Sequence, residues 1–247
     1  MARGPLSFAP RLETSASPTE LASARLSEAL RAVLGERDLV RLAIPGGSAL
    51  PAAAHTRATL GVDWNRVALT WVDERCVPVD HAESNRGAAR KLGLLDRELG
   101  FPERAAPRRV LPLFESGETP SAAVERVTRR LTRDFDGVLD VLLLGMGEDG
   151  HVASLFPDRR EPDSGSVAHV ADSPKPPADR ITLTRPMLHT ARWSVLVATG
   201  ESKRPALERL LAGDSRLPAQ GLVGLTIVTD LDSASLRCPD ERKGRLS

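Results

Sequence analysis

Residues 141–157, VLLLGMGEDGHVASLFP, constrain the fold of this chain more than any other stretch. They begin with an apolar run and continue directly into glycines, two acidic residues and a histidine. A short apolar run bounded by glycine is typical of a parallel strand that is buried on both faces. In open α/β sheets, ligands bind at the polar turns that follow such strands. The stretch therefore predicts a parallel sheet with a ligand site beside His151.

Composition argues against several classes of protein. The chain has 247 residues, and we expect 1–247 to form a single α/β domain with flexible ends at 1–16 and 240–247. Its 34 basic and 33 acidic residues nearly cancel, so global charge favours neither nucleic acid nor an anionic membrane as partner. No apolar run approaches the ~20 residues that span a bilayer. The two cysteines lack metal-ligand spacing. We expect a cytoplasmic protein.

Strand and helix patterns alternate along the chain. Ser17 to Glu20 predicts a capping box at the start of the first helix, with Pro18 in its first position. Strands are predicted at residues 38–44, 67–71, 108–114, 141–144, 180–184, 193–199 and 222–229. Proline interrupts 108–114, which favours an edge position. A short helix is expected after His151, followed by a long loop over 157–178, where proline, glycine, serine and aspartate are frequent.

This alternation predicts βαβ units. We expect a doubly wound, mostly parallel Rossmann-like sheet with helices on both faces and room for a small excursion. The loops after four of the strands, those ending near Ile44, Trp71, Leu144 and Thr199, are polar. Because the carboxyl ends of parallel strands share one edge of the sheet, these loops are expected to meet and form the ligand site.

The turn after the first of these strands is a candidate anion site. It consists of Gly46, Gly47 and Ser48 and leads into a helix amino terminus, where backbone N–H groups and the helix dipole favour negative charge. A simple strand-to-helix turn is the alternative interpretation. The turn lacks the terminal Gly-Lys-Ser/Thr of a Walker A loop.

Polar residues beside the other loops have two interpretations each. Each of the basic residues can be a solvated surface charge, but together they can surround a phosphate dianion through charge-assisted hydrogen bonds. These residues are Arg75, Arg180 and Lys203. Asn85 and Arg86 follow Ser84 either as part of a helix cap or as part of the same site.

His151 is the candidate catalytic residue. A histidine titrates near neutrality and acts as a general base when a partner orients it, and Asp149 can be that partner. A histidine satisfied by local hydrogen bonds is the alternative. The glycines of the stretch match the dinucleotide-binding spacing, but Pro157 breaks the helix that this motif needs. Ser154 lacks the Gly-x-Ser-x-Gly context of a hydrolase nucleophile, and no second histidine lies at metal-ligand spacing.

Three segments carry a resemblance to a known family. They are WVDERCVPVDHAESN, LLGMGEDGHVASLFP and RITLTRPMLHTARWSVLVATGESKRPAL. In order and spacing they resemble the 6-phosphogluconolactonases of the pentose phosphate pathway, and IPGGSAL resembles the phosphate loop of that family. The resemblance covers residues 39–236. Pro45 and Ala49 depart from it, since they replace polar residues that are common beside the Gly-Gly-Ser of the family.

The resemblance implies hydrolysis of 6-phospho-D-glucono-1,5-lactone to 6-phospho-D-gluconate. It implies an enzyme without metal or organic cofactor, in which His151 is the catalytic base and Arg180 and Lys203 bind phosphate. We expect a small-molecule phosphosugar lactone as the ligand, and a monomer or a small homo-oligomer.

Two alternatives remain at this point. The related glucosamine-6-phosphate deaminases and isomerases share the fold, the Asp-Gly-His sequence and an acid equivalent to Asp73, which makes Asp73 a further catalytic candidate. Their motif has a glutamate where this chain has Phe156, and a phenylalanine cannot move protons. The second alternative is a regulator that binds sugar phosphates without turning them over.

Overall fold

The computed structural model describes residues 10–95, 106–159 and 165–236. Its strands are β1 (Arg11–Thr14), β2 (Val40–Ile44), β3 (Val67–Trp71), β4 (Asp73–Arg75), β5 (Arg109–Leu111), β6 (Val141–Gly145), β7 (Val167–Val170), β8 (Arg180–Leu183), β9 (Trp193–Val197) and β10 (Leu225–Thr229). Its α-helices are α1 (Pro18–Leu34), α2 (Leu50–Leu60), α3 (Asn85–Lys91), α4 (Pro120–Phe135), α5 (Arg185–Leu188) and α6 (Arg204–Leu211). In these parts of the chain, no helix has the length and apolar character needed to cross a bilayer.

A parallel sheet forms the centre of the described structure. Its strand order is β1-β10-β9-β6-β2-β3-β5, and every neighbouring pair is parallel. The predicted doubly wound α/β fold is therefore confirmed, as is the edge position of β5. The chain runs outward from β2 through β3 to β5, and in the other direction from β6 through β9 to β10. The topological switch point, where such sheets bind ligands, lies between β2 and β6.

β6 is buried on both faces, as its composition predicts. Its residues from Val141 to Leu144 are 0% exposed, and they lie between β2 and β9 in the sheet. Burying a leucine side chain completely contributes about 1.5–3 kcal/mol to stability. The strand therefore anchors the start of the loop that carries His151.

Helices flank the main sheet. α1 packs against β2, β6, β9 and β10 and against α2, while α4 packs against β5, β7 and β8. α4 buries Ala123, Val127, Leu131 and Phe135, which recur every four residues. Such a stripe is the apolar face of an amphipathic helix.

Three strands leave the main sheet and form a second one. Its order is β4-β8-β7, and both pairs are antiparallel. Val72 joins the two sheets, because its N–H donates to Ile44 O at 2.9 Å and its carbonyl accepts from Leu183 N at 2.8 Å. Residues 180–184 were predicted as a strand, and β8 confirms it, but not in the main sheet. The small excursion is this second sheet, and it borders the site.

Two segments that we expected to be irregular contain strands. Within 157–178, β7 pairs with β8. Arg11–Thr14, expected as part of a flexible end over 1–16, form β1 and pair with β10. Local composition does not reveal either strand, because each is stabilised by a partner that is distant in the sequence. The other expected flexible end, 240–247, lies outside the described residues.

Two local predictions at helix starts are wrong. Ser17 precedes α1 but its side chain makes no capping hydrogen bond, so the capping box does not form, although Pro18 opens the helix as predicted. The short helix expected after His151 is a tight turn closed by a bridge between Val152 and Leu155. Bonds within this turn use backbone groups that a helix would need.

Candidate active site

A pocket of about 360 Å³ lies at the switch point, and the four polar loops predicted to meet do line it. The sequence-predicted residues in its lining are Gly46, Gly47, Ser48, Asp73, Arg75, Asn85, His151, Arg180 and Lys203. Two other predicted residues do not line it. Asp149 instead contacts His151, and Arg86 contributes a backbone N–H to the carboxylate of Glu74.

Asp149 orients the ring of His151. Its Oδ1 lies 2.6 Å from Nδ1 of His151 and also accepts from the His151 backbone N–H at 3.3 Å. The contacts with His151 lower the pKa of Asp149 despite its partial burial, so this carboxylate is ionised and can only accept. Nδ1 therefore carries the proton of the neutral ring, and Nε2 has the free lone pair that a general base needs.

The surroundings of His151 favour its neutral form. Its side chain is 15% exposed, and its ring centroid lies 4.9 Å from that of buried Phe156. Burial lowers the pKa of His151 below its ordinary value, while the Asp149 carboxylate acts in the opposite direction. Because burial is the larger effect, the ring is neutral at physiological pH.

A tight turn without room for side chains brings His151 into this position. The N–H of Gly147 donates to His151 O at 2.8 Å, and the N–H of Gly150 donates to Gly147 O at 3.0 Å. A Cβ at Gly147 would lie 2.1 Å from Nδ1 of His151 and 2.5 Å from Oδ1 of Asp149. Gly150 has a φ of +91°, which favours glycine. The glycines of the motif therefore allow the histidine and the aspartate to meet.

Asp73 lies at the centre of a buried hydrogen-bond network. Its Oδ2 accepts from Ser154 Oγ at 2.7 Å, and its Oδ1 accepts from Asn85 Nδ2 at 3.2 Å. Arg180 Nη1 donates to Ser154 Oγ at 3.4 Å and lies 3.8 Å from Oδ2 of Asp73. All four side chains are nearly inaccessible to solvent. Ser154 is a network member that the sequence interpretation missed, because only its nucleophile context was considered.

Glu74, which belongs to the acidic run after β3, has a structural role. Its buried carboxylate accepts from the backbone N–H groups of Arg75, Asn85 and Arg86 at 2.7–2.8 Å. Burial raises its pKa, and these N–H groups act against that rise. Ser84 also caps α3, since its Oγ accepts from Gly87 N at 2.9 Å. Glu74 therefore fixes the start of α3 against the second sheet.

Arg180 is part of the wall of the pocket rather than a solvated charge. Its Nε donates to Pro177 O at 3.1 Å and its Nη2 to Lys175 O at 2.8 Å, while Nη1 bonds Ser154. The residue is 3% exposed. All three of its nitrogens thus donate within the protein, and the backbone of 175–177 is held against β8.

The Gly-Gly-Ser turn forms another wall. A Cβ at Gly46 would lie 1.9 Å from Oδ1 of Asn85, so a side chain there would displace the amide that holds Asp73. Gly47 has a φ of +64°, and the following 3₁₀ turn, Gly47–Ala49, runs into α2. Ser48 is exposed in the pocket. Lys203 lies on a 3₁₀ turn after β9, a strand that is separated from β2 by β6.

Sequence interpretation also missed Lys175 and Glu83, which line the pocket. Glu83 accepts from Arg75 Nη1, through its backbone carbonyl at 2.7 Å and its carboxylate at 3.3 Å. Lys175 lies in the proline-rich segment that was treated as a loop. The available signal was that Lys175 is the lysine of a conspicuous Pro-Lys-Pro-Pro sequence.

The described residues form neither a metal site nor a reactive thiol. In the parts of the chain that the structure describes, no three His, Cys, Asp or Glu side chains are grouped so that they can hold a metal ion. Burial raises the pKa of the half-buried Cys76 thiol to about 12, so it is not a nucleophile at neutral pH.

Comparisons with known proteins give a consistent result. Residues 13–228 match the sequence model of the family described as glucosamine-6-phosphate isomerases/6-phosphogluconolactonase. A 6-phosphogluconolactonase of Rattus norvegicus is 36% identical over 231 residues, covering 86% of this chain and 83% of the relative. One of Mycobacterium leprae is 35% identical over 224 residues, covering 83% of this chain and 86% of the relative.

Solved structures agree with the sequence relatives. A 6-phosphogluconolactonase from Thermotoga maritima superposes with a TM-score of 0.74 at 26% identity, covering 90% of this chain and 98% of that one. A monomeric glucosamine-6-phosphate deaminase has a TM-score of 0.70 at 19% identity, covering 92% of this chain and 100% of that one, and this likeness concerns the fold alone. The chain therefore belongs to the glucosamine-6-phosphate isomerase/6-phosphogluconolactonase family.

Proposed function

We propose that this protein hydrolyses 6-phospho-D-glucono-1,5-lactone to 6-phospho-D-gluconate, the lactonase step of the pentose phosphate pathway, in the cytoplasm. The observation that carries the proposal is His151, held by Asp149 through Nδ1, in a pocket that also contains cations and an anion-binding turn. The 6-phosphogluconolactonases among its sequence relatives support the choice of substrate.

The proposed chemistry needs one proton-transferring group. Nε2 of His151 takes a proton from a water molecule as the water oxygen bonds to C1 of the lactone. The carbonyl electrons move to the C1 oxygen, and they return when the bond from C1 to the ring oxygen breaks. The imidazolium then gives its proton to that departing oxygen, and the carboxylic acid formed at C1 loses its proton to the solvent. The Asp149 carboxylate stabilises the transient positive charge on His151.

The phosphate of the substrate has a distinct set of partners. Lys203 follows β9 and the turn from Gly46 to Ser48 follows β2, so they flank β6 at the same sheet edge. An ammonium group, a serine hydroxyl and backbone N–H groups before a helix are suited to a phosphate dianion. Binding there would place the lactone ring toward His151. Asp73 and its network would hold the opposite wall in position.

The deaminase alternative lacks a necessary group. At the position where the deaminases have a glutamate, Phe156 packs on the His151 ring and contributes to the burial that lowers the pKa of that histidine. An aromatic side chain in this place favours a neutral base for water attack, and it cannot protonate a sugar ring.

Direct assay of the lactone tests the proposal. The lactone is generated in the cuvette and its disappearance is followed with and without the wild-type protein, with glucosamine 6-phosphate as the second substrate. We expect hydrolysis well above the spontaneous rate and no release of ammonia. Ammonia release would favour the deaminase. Binding of 6-phosphogluconate without any acceleration of hydrolysis would favour a regulator and contradict the proposal.

Replacing Asp149 with asparagine is expected to change the pH profile. Neutral His151 is the active form, so kcat/KM rises with pH through the pKa of His151. Removal of the carboxylate removes a contribution that raises this pKa, so the acid limb should move to lower pH. The plateau should fall on the order of 10²-fold, within the ~10²–10⁴ that general base catalysis contributes. Rates from pH 4 to pH 8 measure both effects.

The matched control is Asp179→Asn. Asp179 Oδ1 lies 2.7 Å from Nε2 of His169, so it forms a similar pair, but neither residue lines the pocket. Its profile should match that of the wild type. If the acid limb of the Asp149→Asn pH profile stays in place or moves to higher pH, His151 is not the titrating base.

A further inference from the structure

Hydrogen bonds hold the backbone of Lys175 in place on the wall of the pocket. Its N–H donates to Ser173 Oγ at 3.4 Å, and its carbonyl accepts from Arg180 Nη2 at 2.8 Å and from Ser173 Oγ at 3.0 Å. The N–H of Ser173 in turn donates to Ala178 O at 3.0 Å. Both backbone groups of Lys175 are therefore held, although its side chain is exposed.

Lys175 also differs from the arginines of the pocket because its charged group makes no hydrogen bond or ion pair with the described residues. Its ammonium group has no hydrogen-bond or ion-pair partner in the described parts of the chain, and the same is true of Lys203. Arg75 is held by Glu83 through Nη1, although its Nε has no partner, and all three nitrogens of Arg180 donate within the protein. The two lysines are thus lining cations whose whole charged group is without a partner, whereas Arg75 is held in part and Arg180 completely.

The two lysines reach the pocket from different segments of the chain, Lys175 from the segment before β8 and Lys203 from the turn after β9. The positive charge of Lys175 acts on His151 and adds to the lowering of its pKa that burial produces. Lys203 lies after β9, and the Gly-Gly-Ser turn lies after β2. A water that His151 activates must lie within hydrogen-bond reach of its ring, so the carbon that is attacked lies close to His151, in the pocket that Lys175 also lines.

We propose that Lys175 binds the C1 oxygen of the substrate, first as the oxyanion formed by water attack and then as part of the product carboxylate. This inference rests on the proposed lactonase function. Lys175 keeps its own protons throughout: the carbonyl electrons move to the oxygen, where the ammonium group stabilises the negative charge. Phosphate is left to Lys203 and the turn from Gly46 to Ser48. Arg180 becomes a positioning residue that holds the segment carrying Lys175.

Two ligands that differ only at C1 test this assignment. 6-Phosphogluconate has a carboxylate at C1, and glucitol 6-phosphate has an uncharged CH₂OH there. Isothermal titration at constant ionic strength gives the Kd of both for wild type, Lys175→Gln and Lys203→Gln. We expect Lys175→Gln to weaken 6-phosphogluconate by about 10-fold or more, the equivalent of one charge-assisted hydrogen bond, and glucitol 6-phosphate by less than about 2-fold. Lys203→Gln should weaken both equally.

Each other outcome contradicts the assignment. Equal weakening of both ligands by Lys175→Gln would place Lys175 at the phosphate, and an unchanged Kd for both would remove it from the site. If the wild type hydrolyses the lactone in either case, the inference about Lys175 fails alone. If the wild type neither hydrolyses the lactone nor binds either ligand, the proposed function fails and this inference with it.

Kinetics provide a second readout. Lys175→Gln should lower kcat by about 10-fold or more with a smaller change in KM, because the contact strengthens as the oxyanion forms. Lys175→Arg, which keeps the charge, should recover most of that loss. Lys91→Gln is the control, since Lys91 lies at the exposed end of α3 outside the pocket. A loss in KM alone, or no recovery with arginine, would contradict a role at the oxyanion.

Discussion

Replacing His151 with alanine is expected to lower kcat/KM by about 10²–10⁴, the usual contribution of a general base. In the proposed mechanism Nε2 takes the proton from water, and neither Asp149 nor Lys175 can replace it. Asp149 is occupied with Nδ1, and an ammonium group is not a base. The loss should appear in kcat, while KM changes little, because phosphate contacts remain. Hydrolysis of the lactone generated in the cuvette measures the rate above background.

A second histidine supplies the control for this substitution. His169 also pairs with an aspartate, Asp179, at 2.7 Å, but it lies on β7 outside the pocket. His169→Ala should therefore keep the wild-type rate. Equal rates for His151→Ala and the wild type would contradict the proposed mechanism, and an equal loss in both variants would indicate general damage to the second sheet.

Replacing Gly147 with alanine is expected to reduce activity on the order of 10²-fold, through a methyl group that touches no substrate. The new Cβ would lie 2.1 Å from Nδ1 and 2.2 Å from Cε1 of His151, and 2.5 Å from Oδ1 of Asp149. The histidine ring must move away, and a displacement of about 1 Å in a catalytic group can cost 10²-fold. Because a side chain yields rather than the backbone, the protein should still fold.

Two measurements separate this effect from unfolding. The melting temperature of Gly147→Ala should stay close to that of the wild type while kcat falls. Gly35→Ala is the matched control, since its Cβ would meet its nearest neighbours at 3.5 Å and its φ of −72° suits alanine. An active Gly147→Ala variant would show that the pairing of His151 with Asp149 is not needed for catalysis.

The parallel sheet and its ligand edge were predictable because each rests on local signals. A run such as Val141 to Leu144 has the composition of a buried strand, and the polar loops that follow parallel strands must share one edge. His151 and Asp149 lie two residues apart, so their pairing depends on one turn. The glycines on either side of Asp149 indicate that turn directly in the sequence.

The second sheet was not predictable in the same way. β4, β7 and β8 pair antiparallel across long distances in the sequence, and the composition around β7 is that of a loop. β1 was missed for the same reason, because this short strand near the amino terminus takes its stability from β10. Strand formation of this kind depends on the partner more than on the intrinsic preference of the residues.

The sequence by itself determined the α/β class, the edge of the sheet that holds the site, and the candidate base with its aspartate. Only the tertiary structure decided which charges are available in that site. Arg180 has the same charge as Lys175, but it is buried and its nitrogens donate to carbonyl and hydroxyl groups of the wall, while the charge of Lys175 remains free. The physical reason is that availability of a charge depends on burial and on partners, and both are set by segments that meet only in the folded chain.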